Sequence, residues 1–427
     1  MDLVQTFGSI VTGEAKKNPD AAEKILLTGY RLQQLKNKAL PDKGVPKSGQ
    51  FAAQVVMQGV IDALAKPQNA VMTSIFVPGE LFTAAGLAPY SVETMSCFMA
   101  ASHCEQASLA QADREGFPET MCSYHRVFLG TALTGMLPRP ACVMYTNLAC
   151  DGNMMTFPYM KEKYDIPGFY IDVPYVKDEG AVKYVAAQLR EARTFLEDST
   201  HRHISDNALA AAVARSNAAA DAYSAQLALR STHNPPTTLT TELYGIFMCM
   251  ILAGSENALK YARQLLEDVK NTPEKTDDIG IVWMHIMPFL QKPVIEVFNH
   301  SDDVHIKACD FVYSGFMHMK SEDPFEAMAE KLVYSVYNGS VKERILRAIE
   351  VTRQTGADGV ILFAHWGCKS TTVASGLVKA ELEAAGIPVL VLDGDGCNPA
   401  NTSDGQVSTR LQAFMEMLKE RKAEKSI

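Results

Sequence analysis

The sequence predicts an α/β protein with two doubly wound, Rossmann- or flavodoxin-like parallel-sheet lobes, an N-terminal helical segment and a helical connector. Short apolar runs rich in β-branched residues alternate with longer stretches of helical periodicity. The same alternation occurs in both halves of the chain. The predicted strands are apolar on both faces, which is typical of parallel sheets covered by helices. With 427 residues, the chain also exceeds what one ordinary core accommodates.

Four segments follow from this pattern. Residues 1–69 are predicted to be helical, because their apolar residues recur at helical spacing. Residues 70–203 form the first α/β lobe, residues 204–240 a polar, alanine-rich helical connector, and residues 241–427 the second α/β lobe. The main predicted strands are VMTSIFVP, ACVMYTNLAC and PGFYIDVPY in the first lobe, and DIGIVWMHIMP, HIKACDFVYSG, GVILFAHWGC and IPVLVLDGDG in the second.

The charge and composition exclude several classes of function. The chain carries 40 basic and 49 acidic side chains, a net charge of −9, which gives no general attraction to nucleic acid or to an anionic membrane. No apolar stretch reaches the ~18 residues that a membrane span requires. The first residues lack the basic and apolar regions of a secretory signal peptide. We therefore expect a cytoplasmic protein.

Nine cysteines are the most informative residues for function. In a reducing cytoplasm we expect few disulfides, and most free thiols are buried apolar groups. Cys150 and Cys368 end two predicted strands, and Cys122 stands at the start of a predicted helix. Ligands bind beyond the carboxyl ends of parallel strands, and a helix N-terminus lowers the pKa of a thiol. Cys397 also follows a predicted strand, so position alone does not separate these cysteines from the others.

The spacing of the cysteines favours an iron–sulfur cluster over zinc, because no His or Cys pair has zinc-like spacing. On spacing alone, buried thiols remain the better interpretation. His125 and His365 are candidate acid–base groups, although a lone histidine is more often structural. The sequence lacks the GxSxG, GxxxxGKS and HExxH motifs, and its glycines do not form a dinucleotide fingerprint.

Five segments, in the same order, resemble the 2-hydroxyacyl-CoA dehydratase and benzoyl-CoA reductase superfamily across residues 70–420. In that family, three cysteines per subunit hold a [4Fe-4S] cluster that has one open iron. The resemblance implies that Cys122, Cys150 and Cys368 are the ligands, and it places Ser74 and Glu93 near the cluster as catalytic residues. The five segments are SIFVPGELFTAAGLAP, ETMCSYHRVFLG, YTNLACDGN, FAHWGCKSTT and GIPVLVLDGDGCNPANTSDGQVSTRLQAFMEML.

The resemblance further implies the iron–sulfur subunit of a (R)-2-hydroxyacyl-CoA dehydratase, a lyase of anaerobic metabolism. In such enzymes one electron converts the thioester carbonyl to a ketyl radical anion, which expels the 2-hydroxyl and leads to a 2-enoyl-CoA. The implied partners are an acyl-CoA substrate, a second, smaller cluster-bearing subunit, and an ATP-dependent activator. The absence of a P-loop from this sequence agrees with ATP hydrolysis by a separate protein.

Three alternatives remain open at the level of sequence. The first is a benzoyl-CoA reductase-type subunit with the same cluster. The second is a homodimeric protein that carries an [8Fe-9S] double-cubane cluster and reduces small molecules, for which Cys104, Cys142, Cys309 and Cys397 are the additional thiols. The third is an electron-transfer or scaffold subunit without a substrate. The sequence does not identify the acyl group or the base that removes the β-hydrogen. Trp283 is a candidate for the pocket wall, with core packing as the alternative.

Overall fold

Two four-stranded parallel sheets form the framework of the protein. The computed structural model describes residues 3–425. The sheet orders are β2-β1-β3-β4 and β6-β5-β7-β8, so both sheets follow one plan, and the predicted α/β class is confirmed. The strands are β1 Ala70–Thr73, β2 Ala88–Ser91, β3 Cys142–Thr146, β4 Gly168–Ile171, β5 Ile279–Met284, β6 Val304–Cys309, β7 Gly359–His365 and β8 Val389–Gly394.

Helices connect the strands and cover both sheets. Polar residues begin several of them by accepting a backbone N–H bond: Asp178 from Ala181 and Ser205 from Ala208. The helices are α1 Leu3–Ala15, α2 Pro19–Ala39, α3 Lys47–Ala65, α4 Gly79–Ala85, α5 Val92–Ala101, α6 Glu105–Arg114, α7 Ser123–Leu133, α8 Asn153–Tyr164, α9 Glu179–Thr200, α10 Asp206–Leu229, α11 Leu239–Met250, α12 Glu256–Lys270, α13 Lys292–Phe298, α14 Asp310–Gly315, α15 Pro324–Val333, α16 Val341–Thr355, α17 Lys369–Thr372, α18 Ser375–Ala384 and α19 Asp404–Lys425.

The hydrophobic core joins the two halves of the chain. One face of the first sheet packs against α4, α9 and α15, although α15 comes from the second half of the sequence. There the guanidinium of Arg190 lies 4.5 Å from the centre of the Phe325 ring. The opposite face shares a continuous core with the N-terminal helices and the second sheet. The predicted domain boundaries stay predictions.

Several strands are shorter than the sequence predicts. The strand predicted over residues 141–150 ends at Thr146, and a turn with Ala149 in the left-handed region (φ 63°) precedes Cys150. The strand predicted through HIKACDFVYSG ends at Cys309, where α14 begins. The sequence analysis missed β2, which contains Pro89. Proline disfavours a strand prediction, but it is tolerated here because β2 lies at the edge of its sheet.

Trp283 belongs to the core and not to a pocket wall. It is fully buried within β5, and its Nε1 donates to the backbone oxygen of Ile286 at 3.2 Å. Its ring packs edge-on against Phe298.

Within residues 3–425, no helix combines the length and the apolarity that crossing a bilayer requires.

A close contact between α6 and α7 supports the helix that begins beside Cys122. A Cβ added to Gly130 would overlap the backbone oxygen of Ser108. We predict that Gly130→Ala lowers the free energy of unfolding by about 1–3 kcal/mol, because backbone atoms must shift to admit the methyl group. Chemical denaturation measures this change.

Gly59→Ala is the matched control, because Gly59 lies within α3 and its added Cβ would meet no atom within 4 Å. Alanine is the better helix former, so this variant should gain roughly 0.5–1 kcal/mol of stability. Equal effects of the two substitutions would contradict the proposed clash.

Candidate functional site

Three thiols meet where the carboxyl ends of the two sheets approach each other. Cys150 follows β3, Cys368 follows β7, and Cys122 is the N-cap residue of α7. All three are partly exposed. Burial raises the pKa of the Cys122 thiol, and the neighbouring Cys368 and Cys150 raise it further. The structure therefore brings the three predicted ligands into electrostatic contact with one another.

This position corrects one expectation from the sequence. Backbone N–H groups of Tyr124 and His125 lower the pKa of Cys122, as a helix N-terminus should. Burial and the other two thiols outweigh that effect, so the net pKa is raised. For Cys150 the pKa is raised by burial first and then by Cys368. A positively charged partner would therefore favour the thiolate forms of Cys122 and Cys150 in this crevice.

Gly367 makes the approach of the two halves possible. It lies in the left-handed region (φ 78°), and a Cβ at this position would lie 2.6 Å from the backbone nitrogen of Cys122. A larger residue would push the Cys368 turn away from the start of α7. Gly367 therefore fixes the separation between two of the three thiols.

Each thiol has one histidine as a neighbour. Nε2 of His365 lies 3.3 Å from Sγ of Cys122, and Nε2 of His125 lies 3.3 Å from Sγ of Cys150. Nε2 of His285 lies 3.4 Å from Sγ of Cys368. The sequence analysis considered His125 and His365 as acid–base groups. It missed His285, although this residue directly follows β5, and Cys368 lies just beyond the end of the neighbouring strand β7.

The imidazoles are held in their neutral form by burial. Burial lowers the pKa of His125 to about 4, with a smaller contribution from His365. It also lowers the pKa of His285 well below the usual range, helped by His365 and Arg344. The rings of His285 and His365 are stacked with their centres 6.0 Å apart.

A buried ion pair holds the backbone at His285. His285 has a φ of 82°, which is unusual for a residue with a side chain. Its N–H donates to Oδ1 of Asp310 at 2.8 Å, while Nη2 of Arg344 donates to Oδ2 of the same carboxylate at 2.6 Å. The pair therefore stabilises a strained conformation that directs this imidazole toward Cys368.

The loop after β8 organises the Cys122 side of the crevice. Oδ1 of Asp395 accepts backbone N–H bonds from Cys397 at 2.9 Å and Asn398 at 2.8 Å, and it also accepts the hydroxyl of Ser123. Ser123 is the first residue of α7. Asp395 thus links the final loop of the second sheet to the helix that begins beside Cys122.

Ser74 and Glu93 come from the half of the chain that supplies Cys150, and Glu93 lies near enough to affect that thiol. Ser74 follows β1, and its buried hydroxyl has no hydrogen-bond partner among the described residues. Glu93 is in the first turn of α5. Its Oε2 is also unpartnered, and its charge helps raise the pKa of Cys150. Burial raises the pKa of Glu93 to about 7, against the opposing effect of hydrogen bonds from Ile75 N–H and Ser91. Their predicted catalytic roles stay predictions.

The other six cysteines are buried away from solvent. Cys104, Cys142 and Cys309 are at most 1% exposed, and Cys142 lies at the opposite end of β3 from Cys150. Cys397 lies behind Cys122, fully buried, with its Sγ 3.5 Å from the backbone oxygen of Ser96. Only Cys122, Cys150 and Cys368 combine partial exposure with mutual proximity.

A cavity of about 560 Å³ opens beside the Cys368 turn. Trp366, Gly367 and Arg410 contribute to its walls, and it lies beyond the carboxyl ends of β7 and β8, where α/β sheets bind ligands.

Among residues 3–425, no three His, Cys, Asp or Glu side chains are placed to hold a single metal ion.

Comparison with known proteins identifies the relatives of this chain. The family model for "2-hydroxyglutaryl-CoA dehydratase, D-component" matches residues 74–418. The (R)-phenyllactyl-CoA dehydratase alpha subunit of Clostridium sporogenes is 23% identical, over 80% of this chain and 87% of that protein. The alpha subunit of the lactoyl-CoA dehydratase of Anaerotignum propionicum is also 23% identical, over 84% and 93%. A benzoyl-CoA reductase subunit of Thauera aromatica is 20% identical, over 90% and 97%.

The raised pKa of Glu93 predicts a pH-dependent loss of stability. In the unfolded chain this carboxyl releases its proton near 4.5, whereas in the folded protein it does so at about 7. The folded state therefore binds more protons between these values, and stability falls as pH rises through this window. We predict that Glu93→Gln removes roughly 3 kcal/mol of this dependence between about pH 4.5 and 8, because the amide does not ionise.

Equilibrium urea unfolding of both proteins across this pH range measures the effect. The wild-type free energy of unfolding should fall relative to that of the variant as pH rises. Parallel pH profiles would show that Glu93 is not held protonated by its surroundings.

Proposed function

Because this chain belongs to the family of the 2-hydroxyglutaryl-CoA dehydratase D-component, we propose that it is the iron–sulfur subunit of a (R)-2-hydroxyacyl-CoA dehydratase. The relatives named as dehydratase alpha subunits support this activity. The observation that carries the proposal is the meeting of Cys122, Cys150 and Cys368 in one partly open crevice.

The donor set fits a [4Fe-4S] cluster. Thiolates are the preferred ligands of such clusters, and the different ligands bind different irons, so they need not surround one ion. The raised pKa values of Cys122 and Cys150 mean that these thiols resist ionisation in the protein alone. Cationic iron would supply the charge that stabilises them. Three thiols for four irons would leave one iron open to substrate.

Cys122, Cys150 and Cys368 would hold the cluster, which would supply one-electron reduction of the substrate's thioester carbonyl and would take the electron back after loss of the 2-hydroxyl and a β-proton. The chain supports this chemistry by enclosing the thiols in a crevice with limited access to water. Glu93, with a pKa of about 7, is suited to hold or accept a proton near neutral pH. The free hydroxyl of Ser74 is suited to bind an oxygen atom of the substrate.

The proposed enzyme requires partners. Relatives named as alpha subunits imply a second subunit, which we propose is smaller and carries its own cluster. Electrons would come from a separate ATP-dependent activator, and the substrate would be an acyl-CoA. We propose that the cavity beside Trp366 and Arg410, at the same edge of the second sheet, admits this substrate.

A benzoyl-CoA reductase-type subunit is the second candidate function. It is favoured by the likeness to the benzoyl-CoA reductase subunit of Thauera aromatica, which extends over 97% of that protein. The double-cubane alternative has less support. Its additional thiols would have to include Cys104, Cys142, Cys309 and Cys397, which are buried outside the crevice.

We predict that anaerobically purified protein contains about four irons and four sulfides per chain, and that Cys150→Ser removes most of the cluster absorbance. Cys142→Ala is the matched control, because Cys142 begins β3 at the end of the strand away from Cys150, and this variant should retain the cluster. About eight irons per chain would favour the double cubane instead. Full retention of the cluster by Cys150→Ser would refute the ligand assignment.

The activity itself is tested with the activator, ATP and a series of thioesters. We expect 2-enoyl-CoA to form from at least one (R)-2-hydroxyacyl-CoA only when activator and ATP are both present. Reduction of benzoyl-CoA without any dehydration would select the second candidate. Glu93→Gln should lower kcat by about 100-fold or more if this carboxyl transfers a proton.

A further inference from the structure

Three imidazole nitrogens surround the three thiols, one at each sulfur. The Nε2–Sγ distances of 3.3, 3.3 and 3.4 Å are within the range of N–H to sulfur hydrogen bonds. The histidines come from separate elements: His125 from α7, His285 from the residue after β5, and His365 from the end of β7. Their repetition around one crevice points to a shared role.

The protonation of His365 is fixed by its other nitrogen. Nδ1 lies 3.1 Å from the backbone nitrogen of Gly396, and that N–H can only donate. Nδ1 must therefore be an unprotonated acceptor, which leaves the single ring proton on Nε2. This N–H points at Sγ of Cys122. The sulfur is thus the acceptor of a hydrogen bond whose direction is set by the backbone.

The other two imidazoles can donate in the same way. Nδ1 of His125 lies 2.7 Å from the hydroxyl of Thr156, which can donate to it and leave the proton on Nε2. Nδ1 of His285 has no partner among the described residues, and Nε2 is the nitrogen that faces Cys368. An unpaired buried donor costs free energy, so the proton of His285 is better placed on Nε2, where the sulfur accepts it.

We propose that His125, His285 and His365 donate N–H bonds to the three cysteine sulfurs and thereby raise the reduction potential of the cluster that these sulfurs hold. This inference rests on the cluster of the proposed function. An N–H donor withdraws electron density from a thiolate and stabilises the more negative, reduced cluster. The three histidines act on the cluster through the cysteine sulfurs, so they are positioning residues.

Asp310 and Gly396 complete the arrangement by fixing two of the rings. Asp310 holds the strained backbone of His285, and Gly396 holds the ring of His365. A Cβ at Gly396 would lie 2.6 Å from the hydroxyl oxygen of Tyr124, so this backbone packs closely against the Tyr124 side chain. The donors are therefore preorganised and do not depend on a bound metal for their direction.

The test compares His365→Leu with His365→Gln in anaerobically purified, cluster-containing protein. Leucine removes the donor, whereas the amide of glutamine can restore an N–H near the position of Nε2. In a redox titration followed by electron paramagnetic resonance, we expect the leucine variant to shift the ratio of reduced to oxidised cluster by about tenfold, which is about 59 mV toward negative potential. The glutamine variant should stay within about threefold of the wild type.

Equal shifts in both variants, or no shift with leucine, would overturn the proposal. If His365→Leu fails to fold, His285→Leu and His285→Gln form a second pair with the same expectation. Wild-type protein gives an independent measurement, because an N–H proton bonded to sulfur should appear as an exchangeable hyperfine coupling that disappears in deuterated water. Its absence would also overturn the proposal.

These outcomes are distinguishable from failure of the proposed function. Iron and sulfide analysis of the wild type comes first, and protein without iron would refute the cluster and this inference together. Protein that contains the cluster, with a potential unchanged by loss of the donors, would refute this inference alone.

Discussion

The arrangement of the site depends on one electrostatic constraint: three thiols are kept close together in a crevice that disfavours the ionisation of Cys122 and Cys150. Burial and mutual repulsion raise the pKa of Cys122, and backbone N–H groups compensate only in part. The same constraint explains why the surroundings are rich in donors. Backbone N–H groups lie at the starts of α7 and α8, and an imidazole nitrogen stands at each sulfur. A cluster of cationic iron would complete this balance.

The two sheets bring the thiols together because they share one strand order. In the first sheet β1 lies between β2 and β3, and in the second sheet β5 lies between β6 and β7. The chain therefore turns to opposite sides after β1 and β3, and likewise after β5 and β7. Ligands bind at such a point. Ser74 and Cys150 follow the first and third strands of one sheet, and His285 and Cys368 follow those of the other. Equivalent positions of two similar lobes thus supply opposite sides of one site.

The contacts that unite the lobes are also those that shape the site. Gly367 admits the Cys368 turn against Cys122, and Asp395 connects the loop after β8 to Ser123. The first is a close backbone contact, and the second is a buried hydrogen bond between two side chains. The geometry of the thiols is therefore coupled to the packing of the whole molecule, which includes the contribution of α15 to the first core. The contacts that shape this site thus involve neither a cofactor nor a substrate.

The sequence by itself determined the fold class and the strands of both sheets except β2. Through family resemblance it also singled out Cys122, Cys150 and Cys368 as candidate ligands. These features are local or ordered along the chain: apolar runs define buried strands, and Cys150 and Cys368 stand just after two of them. Only the tertiary structure decided which thiols share a crevice, and that His285 is among their neighbours. It also reversed the expected pKa shift of Cys122 and Cys150, because desolvation depends on packing from residues far apart in sequence. No local pattern records that Cys122 and His365, separated by 243 positions, lie 3.3 Å apart.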